Sequence, residues 1–186
     1  MATTGTGPEP GRASGTTRST RFTVAGLLLG LGLGGFFDGI VLHQLLQWHH
    51  MLTSTGDHPA NTVAGLEANT LWDGFFHIAT YALTVAGLVV LITELSDRRS
   101  ETLWSTRTFV GALLIGWGLF NLVEGVINHH ILGIHHVRTD TSNQLLWDAG
   151  FLAWGTVMVA GGWAIRNSTQ PSTGVHSIRR RTTSSA

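Results

Sequence analysis

Four long runs of the sequence carry no charged side chain, and they constrain the fold more than any other feature. Charged residues make up only 12% of the chain, about half of the ~25% that is usual in soluble domains. A stretch of about 20 apolar residues is long enough to span the hydrocarbon core of a bilayer. We therefore predict four transmembrane helices around these runs, which cover residues 22–37, 78–93, 108–123 and 149–165.

The predicted fold class is all-α, a bundle of four transmembrane helices within a membrane domain at residues 21–166. The helices are expected at about 22–48, 71–95, 108–132 and 145–165. The flanking residues 1–20 and 167–186 are rich in Thr, Ser and Gly, a composition that predicts disordered tails. The chain has no cysteine, which excludes disulfides and thiolate metal ligands.

One pattern of polar residues occurs twice inside this apolar sequence. Residues 37–51 read FDGIVLHQLLQWHHM, and residues 120–137 read FNLVEGVINHHILGIHHV. Both contain an acid, a glycine, three spacers, a histidine, five spacers and a double histidine. The pattern aligns Asp38 with Glu124, His43 with His129, and His49-His50 with His135-His136. We interpret it as a duplicated intramembrane site.

The duplication extends to the helix that follows each motif, because the tripeptide LWD ends at Asp73 and again at Asp148. Each half is then one helical hairpin, and a hairpin returns to the side from which it started. We predict two tandem hairpins of the same orientation, related by a pseudo-two-fold axis along the membrane normal. The repeat is imperfect, since His77 aligns with Leu152. One shared site with unequal contributions from the halves is therefore expected.

The arginines predict the orientation of the chain in the membrane. They concentrate in the two tails and in the middle turn, whereas the two histidine-bearing loops contain only Arg138. The positive-inside rule then places both termini in the cytoplasm of a multi-pass protein of the cell membrane. The histidine loops face outward, and Trp48, Trp72 and Trp147 mark the outer interface.

The expected partners follow from the same features. The lipid bilayer surrounds the four helices, and the sequence offers no basic face for nucleic acid. Gly26, Gly30 and Gly34 are spaced by four residues on the first helix. Small residues at this spacing let helices approach closely, so we consider a homo-oligomer that forms through this glycine-rich face.

Carboxylates and imidazoles inside a membrane are costly, so they face the bundle interior and are functional by default. At 1.5 Å of rise per residue, Asp38 and Glu124 lie roughly 7–8 Å deeper in the membrane than His43 and His129. We predict as metal ligands His43, His77, His129, His50, His136, Glu124 and Asp38. The predicted supporting or rim residues are Asp73, Asp148, His49, His135, His130, Asn128 and Gln47.

Imidazole and carboxylate ligands without sulfur suit a transition metal such as iron, copper or zinc. Haem remains an alternative, since histidines on opposing helices can supply two axial ligands. We expect a metal-dependent redox enzyme that acts on a small or membrane-soluble substrate. The alternatives are a metal or proton carrier, a metal-handling assembly factor, a haem-binding membrane protein and a purely structural polar network. The apolar inner halves of the helices disfavour a carrier.

The motifs GFFDGIVLHQLLQWHHM, DGFFH and NHHxxGxHHV resemble a bacterial and archaeal family of predicted multi-pass membrane proteins, domain of unknown function 2243. The resemblance covers about residues 22–165 and implies a four-helix membrane protein. It implies no activity, substrate or catalytic residue. The histidine boxes are also similar to those of membrane di-iron desaturases and hydroxylases, which carry more histidines and place them on the cytoplasmic side.

Overall fold

The computed structural model describes residues 11–96 and 105–168, and within these ranges it contains helices and no strands. Helix α1 leads directly into a π-helical segment, here called π1, and α3 leads in the same way into π2. The elements are α1 (Gly11–Phe37), π1 (Asp38–Leu45), α2 (Val63–Ser96), α3 (Thr106–Glu124), π2 (Gly125–Ile131) and α4 (Gln144–Asn167). The predicted all-α fold class is confirmed.

All four helices are long and apolar enough to cross a membrane, as the charge-free runs predicted. The candidate spans are Thr20–Leu45, Val63–Ser96, Thr106–Ile131 and Gln144–Asn167. Helix α2 begins eight residues before the predicted position 71, because the Thr62 hydroxyl accepts the amide hydrogen of Gly65 and caps an extra two turns. Of the predicted disordered tails, residues 1–10 and 169–186 lie outside the described residues.

Helices α1 and α3 form the centre of the bundle and run parallel to each other. A Cβ atom at Gly26 would meet Ala112, and one at Gly30 would meet the Leu113 carbonyl. The partners advance in the same direction along both helices, which defines the parallel arrangement. The glycine-rich face of the first helix is thus covered by α3 of the same chain. A homo-oligomer stays a prediction, and it would need another surface.

The contacts within the two hairpins repeat each other. On α1, Gly32 packs against Thr80 and Thr84 of α2, and the register is antiparallel. On α3, Gly118 packs against α4 at Gly155 and Val159. These positions are related by 86 residues between α1 and α3 (118 − 32) and by 75 between α2 and α4 (155 − 80). The chain is therefore built from two tandem hairpins of the same orientation, as predicted.

Two residues after the end of each π segment, the backbone adopts a left-handed conformation. Gln47 has φ of 51° and Gly133 has φ of 59°, and the two positions are equivalent in the repeat (133 − 47 = 86). Beyond them, the amide of Trp48 donates to the Leu42 carbonyl at 2.9 Å, which closes the helix end. Both double histidines consequently lie in loops and not on the helices.

Candidate metal centre

The π segments bring each motif acid close to the histidine five residues later. In an α-helix, residues i and i+5 point about 140° apart, whereas the wider π turn bonds residue i to i+5 and stacks them. Accordingly, His43 Nε2 lies 3.2 Å from Asp38 Oδ2, and His129 Nε2 lies 3.0 Å from Glu124 Oε2. All four side chains are buried. The spacing of five residues thus has a direct structural meaning.

In the first hairpin, a carboxylate on α2 bonds the ring nitrogen of His43 that points away from Asp38. Asp73 accepts hydrogen bonds from His43 Nδ1 at 2.9 Å and from His50 Nδ1 at 2.8 Å. It also accepts the amide of Met51 at 2.9 Å. Nδ1 of His43 carries a hydrogen in this arrangement, and Nε2 of the same ring faces Asp38 in the interior. Carboxylate–histidine pairs of this kind orient metal-binding imidazoles in many proteins.

Asp148 plays the equivalent part in the second hairpin. It accepts from His136 Nδ1 at 2.6 Å and from the Val137 amide at 2.9 Å. His129 Nδ1 lies 3.4 Å from the same carboxylate, a looser contact than its counterpart at Asp73. The sequence placed Asp73 and Asp148 at the rim, and the structure buries both, because each closes the gap between a helix end and a loop.

The inner histidines of the two loops meet at the pseudo-two-fold axis. The rings of His49 and His135 stack at 4.6 Å with an interplanar angle of 8°. Each is held by the backbone of the other half, since His49 Nδ1 donates to the Val137 carbonyl and His135 Nδ1 donates to the Met51 carbonyl, at 2.8 and 3.2 Å. A carbonyl can only accept, so Nδ1 is protonated in both rings. Their Nε2 atoms are left to face the carboxylates.

His135 Nε2 lies 2.7 Å from Glu124 Oε1, and His49 Nε2 lies 3.9 Å from Asp38 Oδ1. Burial lowers the pKa of His49 well below its usual range, and the neighbouring His135 lowers it further. His49 is therefore neutral at neutral pH. A neutral imidazole with Nδ1 committed to a carbonyl is in the form that binds a metal through Nε2.

Several buried polar atoms at this centre have no hydrogen-bond partner. They comprise both oxygens of Asp38, Nε2 of His43 and His49, Oε2 of Glu124, and both ring nitrogens of His129. Buried polar groups are nearly always satisfied in native structures, so a cluster of exceptions requires an explanation. The imidazole and carboxylate atoms of these pairs lie 3.0–3.2 Å apart, and a cation bound between them would satisfy both.

Two sets of ligand atoms fit a metal ion, because the atoms of each set lie within 4.8 Å of one another. One set comes from His43, His49 and His135, and the other from Glu124, His129 and His135. Both sets are fully buried and contain only nitrogen and oxygen. Such donors suit iron, copper, zinc or nickel, so the residues present fit a transition metal.

The structure brings together most, but not all, of the predicted ligands. Asp38, His43, Glu124 and His129 converge as expected. His50 and His136 bind the outer oxygens of Asp73 and Asp148 instead, and their side chains are 13% and 24% exposed. The reason is the helix end at Gln47 and Gly133, which turns the first histidine of each pair inward.

His77 lies apart from the two ligand sets. Its ring stacks on Phe36 at 6.2 Å and contacts Phe76, and its Nε2 packs against Gly39 without a hydrogen-bond partner. Its equivalent, Leu152, packs in the same way on Gly125. The common depth predicted for His77 does not bring it to the other imidazoles, because the ring points along the helix contact.

The remaining predicted supporting residues differ in their roles. Asn128 donates to Glu124 Oε1 at 3.3 Å and so contacts the centre directly. Gln47 is exposed and supplies the left-handed turn, and His130 is exposed on the side of π2 away from the centre. The signal that separates His129 from His130 is the spacing of five residues to the acid.

A family model described as "Predicted membrane protein (DUF2243)" matches residues 25–169. This range includes α1 from residue 25 onward, the three other α-helices and the whole histidine cluster. No curated protein and no solved structure matches the chain. The match covers most of the chain and agrees with the four apolar helices of the structure. The chain therefore belongs to the DUF2243 family of predicted membrane proteins.

Proposed function

We propose that this protein holds a transition metal in a buried His/carboxylate centre within the membrane and uses it as a redox enzyme on a membrane-soluble substrate. The observation that carries the proposal is the cluster of buried nitrogen and oxygen atoms without hydrogen-bond partners around Asp38 and Glu124. A bound iron or copper ion would supply one-electron chemistry. The chain supplies the ligands, fixes their protonation and excludes water.

The substrate class is inferred from a groove beside the centre. An apolar groove of about 510 Å³ is formed at the first turns of α4. Its lining residues are Val137, Leu146, Trp147, Gly150, Phe151 and Trp154. The Phe151 ring also contacts the His129 ring, with centroids 5.5 Å apart. A purely apolar groove on a membrane helix selects a lipid-soluble molecule, and one aromatic ring separates this groove from a proposed ligand.

We further propose that the centre lies near the extracytoplasmic side of the cell membrane, with both termini in the cytoplasm. The arginine distribution supports this orientation. At the histidine-bearing end, Arg138 lies over the rings of Trp48 and Trp147, at 5.3 and 5.4 Å from their centroids. Two tryptophans and an arginine at one end of the bundle are typical of a membrane interface. A C-terminal reporter fusion that is active only outside the cytoplasm would contradict this topology.

The redox proposal is tested by metal analysis and an optical and paramagnetic resonance spectrum of the full-length protein purified in detergent. We expect stoichiometric iron or copper with a spectrum of nitrogen and oxygen ligation. His135 belongs to both ligand sets, so His135→Ala should lose most of the metal. His130→Ala is the matched control, because this exposed neighbour of His129 should leave the metal content unchanged.

The possible outcomes separate the parts of the proposal. Protein that holds no metal after purification and after reloading would reduce the centre to a structural polar network. Stoichiometric zinc without a redox-active metal would leave the metal centre in place and exclude redox chemistry at it. A haem spectrum lost in His135→Ala would replace the metal-ligand set with an axial pair.

A further inference from the structure

We infer that the centre holds two divalent cations, one in each hairpin's half of the site. The first half-site consists of Asp38, His43 and His49, and the second consists of Glu124, His129 and His135. This inference rests on the proposed metal centre and adds the number and arrangement of the ions.

The buried atoms without hydrogen-bond partners occur in both half-sites. In the first, they are the two Asp38 oxygens and Nε2 of His43 and His49. In the second, they are Oε2 of Glu124 and the ring nitrogens of His129. A single ion bound in either half-site would leave the atoms of the other half buried and unsatisfied. Two ions satisfy both sets, which is the arrangement that the cost of unsatisfied buried groups favours.

The buried charge is compatible with two divalent ions. Four buried carboxylates surround the centre, from Asp38, Asp73, Glu124 and Asp148. The sequence has no lysine, and the arginines whose side chains are described contact other groups, at Glu94, Ser168, Asp140 and Thr23. Buried charges must be compensated. Each of the four carboxylates contacts at least one histidine. Two divalent cations would neutralise the four carboxylates with these histidines acting as neutral ligands.

The pseudo-two-fold symmetry gives each ion an equivalent place. Within the half-sites, the ring centroids lie 4.4 Å apart for His43 and His49 and 5.0 Å apart for His129 and His135. Across the axis, His43 and His135 are 5.9 Å apart, and His49 and His129 are 6.3 Å apart. The stacked rings of His49 and His135 lie only 4.6 Å apart across the axis, so the four imidazoles form one continuous cluster with an equivalent pair in each hairpin. His135 also reaches the first set of ligand atoms, so the two ions are neighbours with a shared boundary at the stacked rings.

The test measures the number of cobalt(II) ions bound by the metal-free, full-length protein in detergent. Cobalt(II) is a visible probe for sites with nitrogen and oxygen ligands. We expect two equivalents per chain, and a magnetic interaction between them at full loading. A single equivalent at saturation would overturn the inference while leaving the proposed metal centre intact. Binding of none would overturn both.

Two conservative variants assign the ions to the half-sites. Asp38→Asn and Glu124→Gln each remove one carboxylate without changing its shape, and each should bind one equivalent of cobalt(II). Asp140→Asn, an exposed carboxylate paired with Arg138, is the control and should still bind two. If a variant that retains wild-type helical circular dichroism binds none, the assignment of one ion to each half is wrong.

Discussion

The two hairpins agree where they contact each other and differ where they face outward. The central contacts of the first histidine motif have equivalents in the second, from the acid next to the π segment to the carboxylate on the second helix. The outer surface is different. On α4, Gly150 leaves open space next to Trp147, whereas the equivalent position on α2 is Phe75, whose ring packs on Trp72 at 5.9 Å. The proposed metal centre is built from both hairpins, so its contacts repeat in both. A substrate needs only one route to the centre, so only one hairpin has to leave its outer surface open.

The largest expected effect tests the equivalence of the two hairpins at the contact between α1 and α3. Gly30 and Gly116 are equivalent, and a Cβ atom at either would collide with the backbone of the other helix. Gly30→Leu and Gly116→Leu should therefore cost equal amounts of unfolding free energy, at or above the ~1–3 kcal/mol typical of overpacking. Thermal unfolding in detergent measures both. Gly161→Leu, which meets no atoms within 4 Å, is the control.

Equal destabilisation by the two variants would support the pseudo-two-fold contact. If one variant unfolds the protein and the other is tolerated as well as Gly161→Leu, the two helices are not equivalent.

A second test concerns the difference between the hairpins. Gly150→Phe gives α4 the side chain that α2 carries at this position, and it should fill the apolar groove without touching the ligands. We expect slower reduction of the metal centre by a lipid-soluble hydroquinone in vesicles, with unchanged metal content. Gly161→Phe places the same ring on the same helix in another open position. Equal reduction rates in all three proteins would show that the groove is not the route of access.

The smallest expected effect is at the turn that ends each π segment. Left-handed backbone costs an L-residue about 1–2 kcal/mol, and Gln47 carries that cost, whereas Gly133 does not. Gln47→Gly should raise the unfolding free energy by about 1 kcal/mol, and Gly133→Gln should lower it by a similar amount. For a chain of this size, 1 kcal/mol corresponds to a shift in Tm of about 2–4 °C. Shifts of the same sign in both variants would contradict this explanation.

The fold could be predicted from the sequence because membrane insertion leaves few alternatives. Charge-free runs locate the spans, and the repeated motif with its LWD tripeptide gives the two hairpins. The helix starts were less predictable. The eight residues before position 71 are polar enough to look like a loop, and the Thr62 cap and the anchoring of Asn69 to the His58 carbonyl and the Leu52 amide make them helical.

The candidate site was predicted in composition but not in arrangement. A constant rotation of 100° per residue places Asp38 on the same face as His49 and His43 on the same face as His50. The π segments change the rotation, which brings Asp38 to His43, and the helix end turns His49 inward. Nothing in a single sequence specifies a π segment. Gly133 near the end of a helical pattern was the one local signal that the double histidines lie beyond it.

The crossed hydrogen bonds of the inner histidines also order the events of biogenesis. The ring of His49 is held by a carbonyl that is made 88 residues later, at Val137. Before the second hairpin is made, the His49 ring lacks this carbonyl, whereas the bonds of His43, His50 and Met51 to Asp73 lie within the first hairpin. Only arrival of the second hairpin supplies the missing carbonyl and completes the ligand sets. A metal bound at the proposed centre would thus report that translation and insertion of the whole membrane domain have finished.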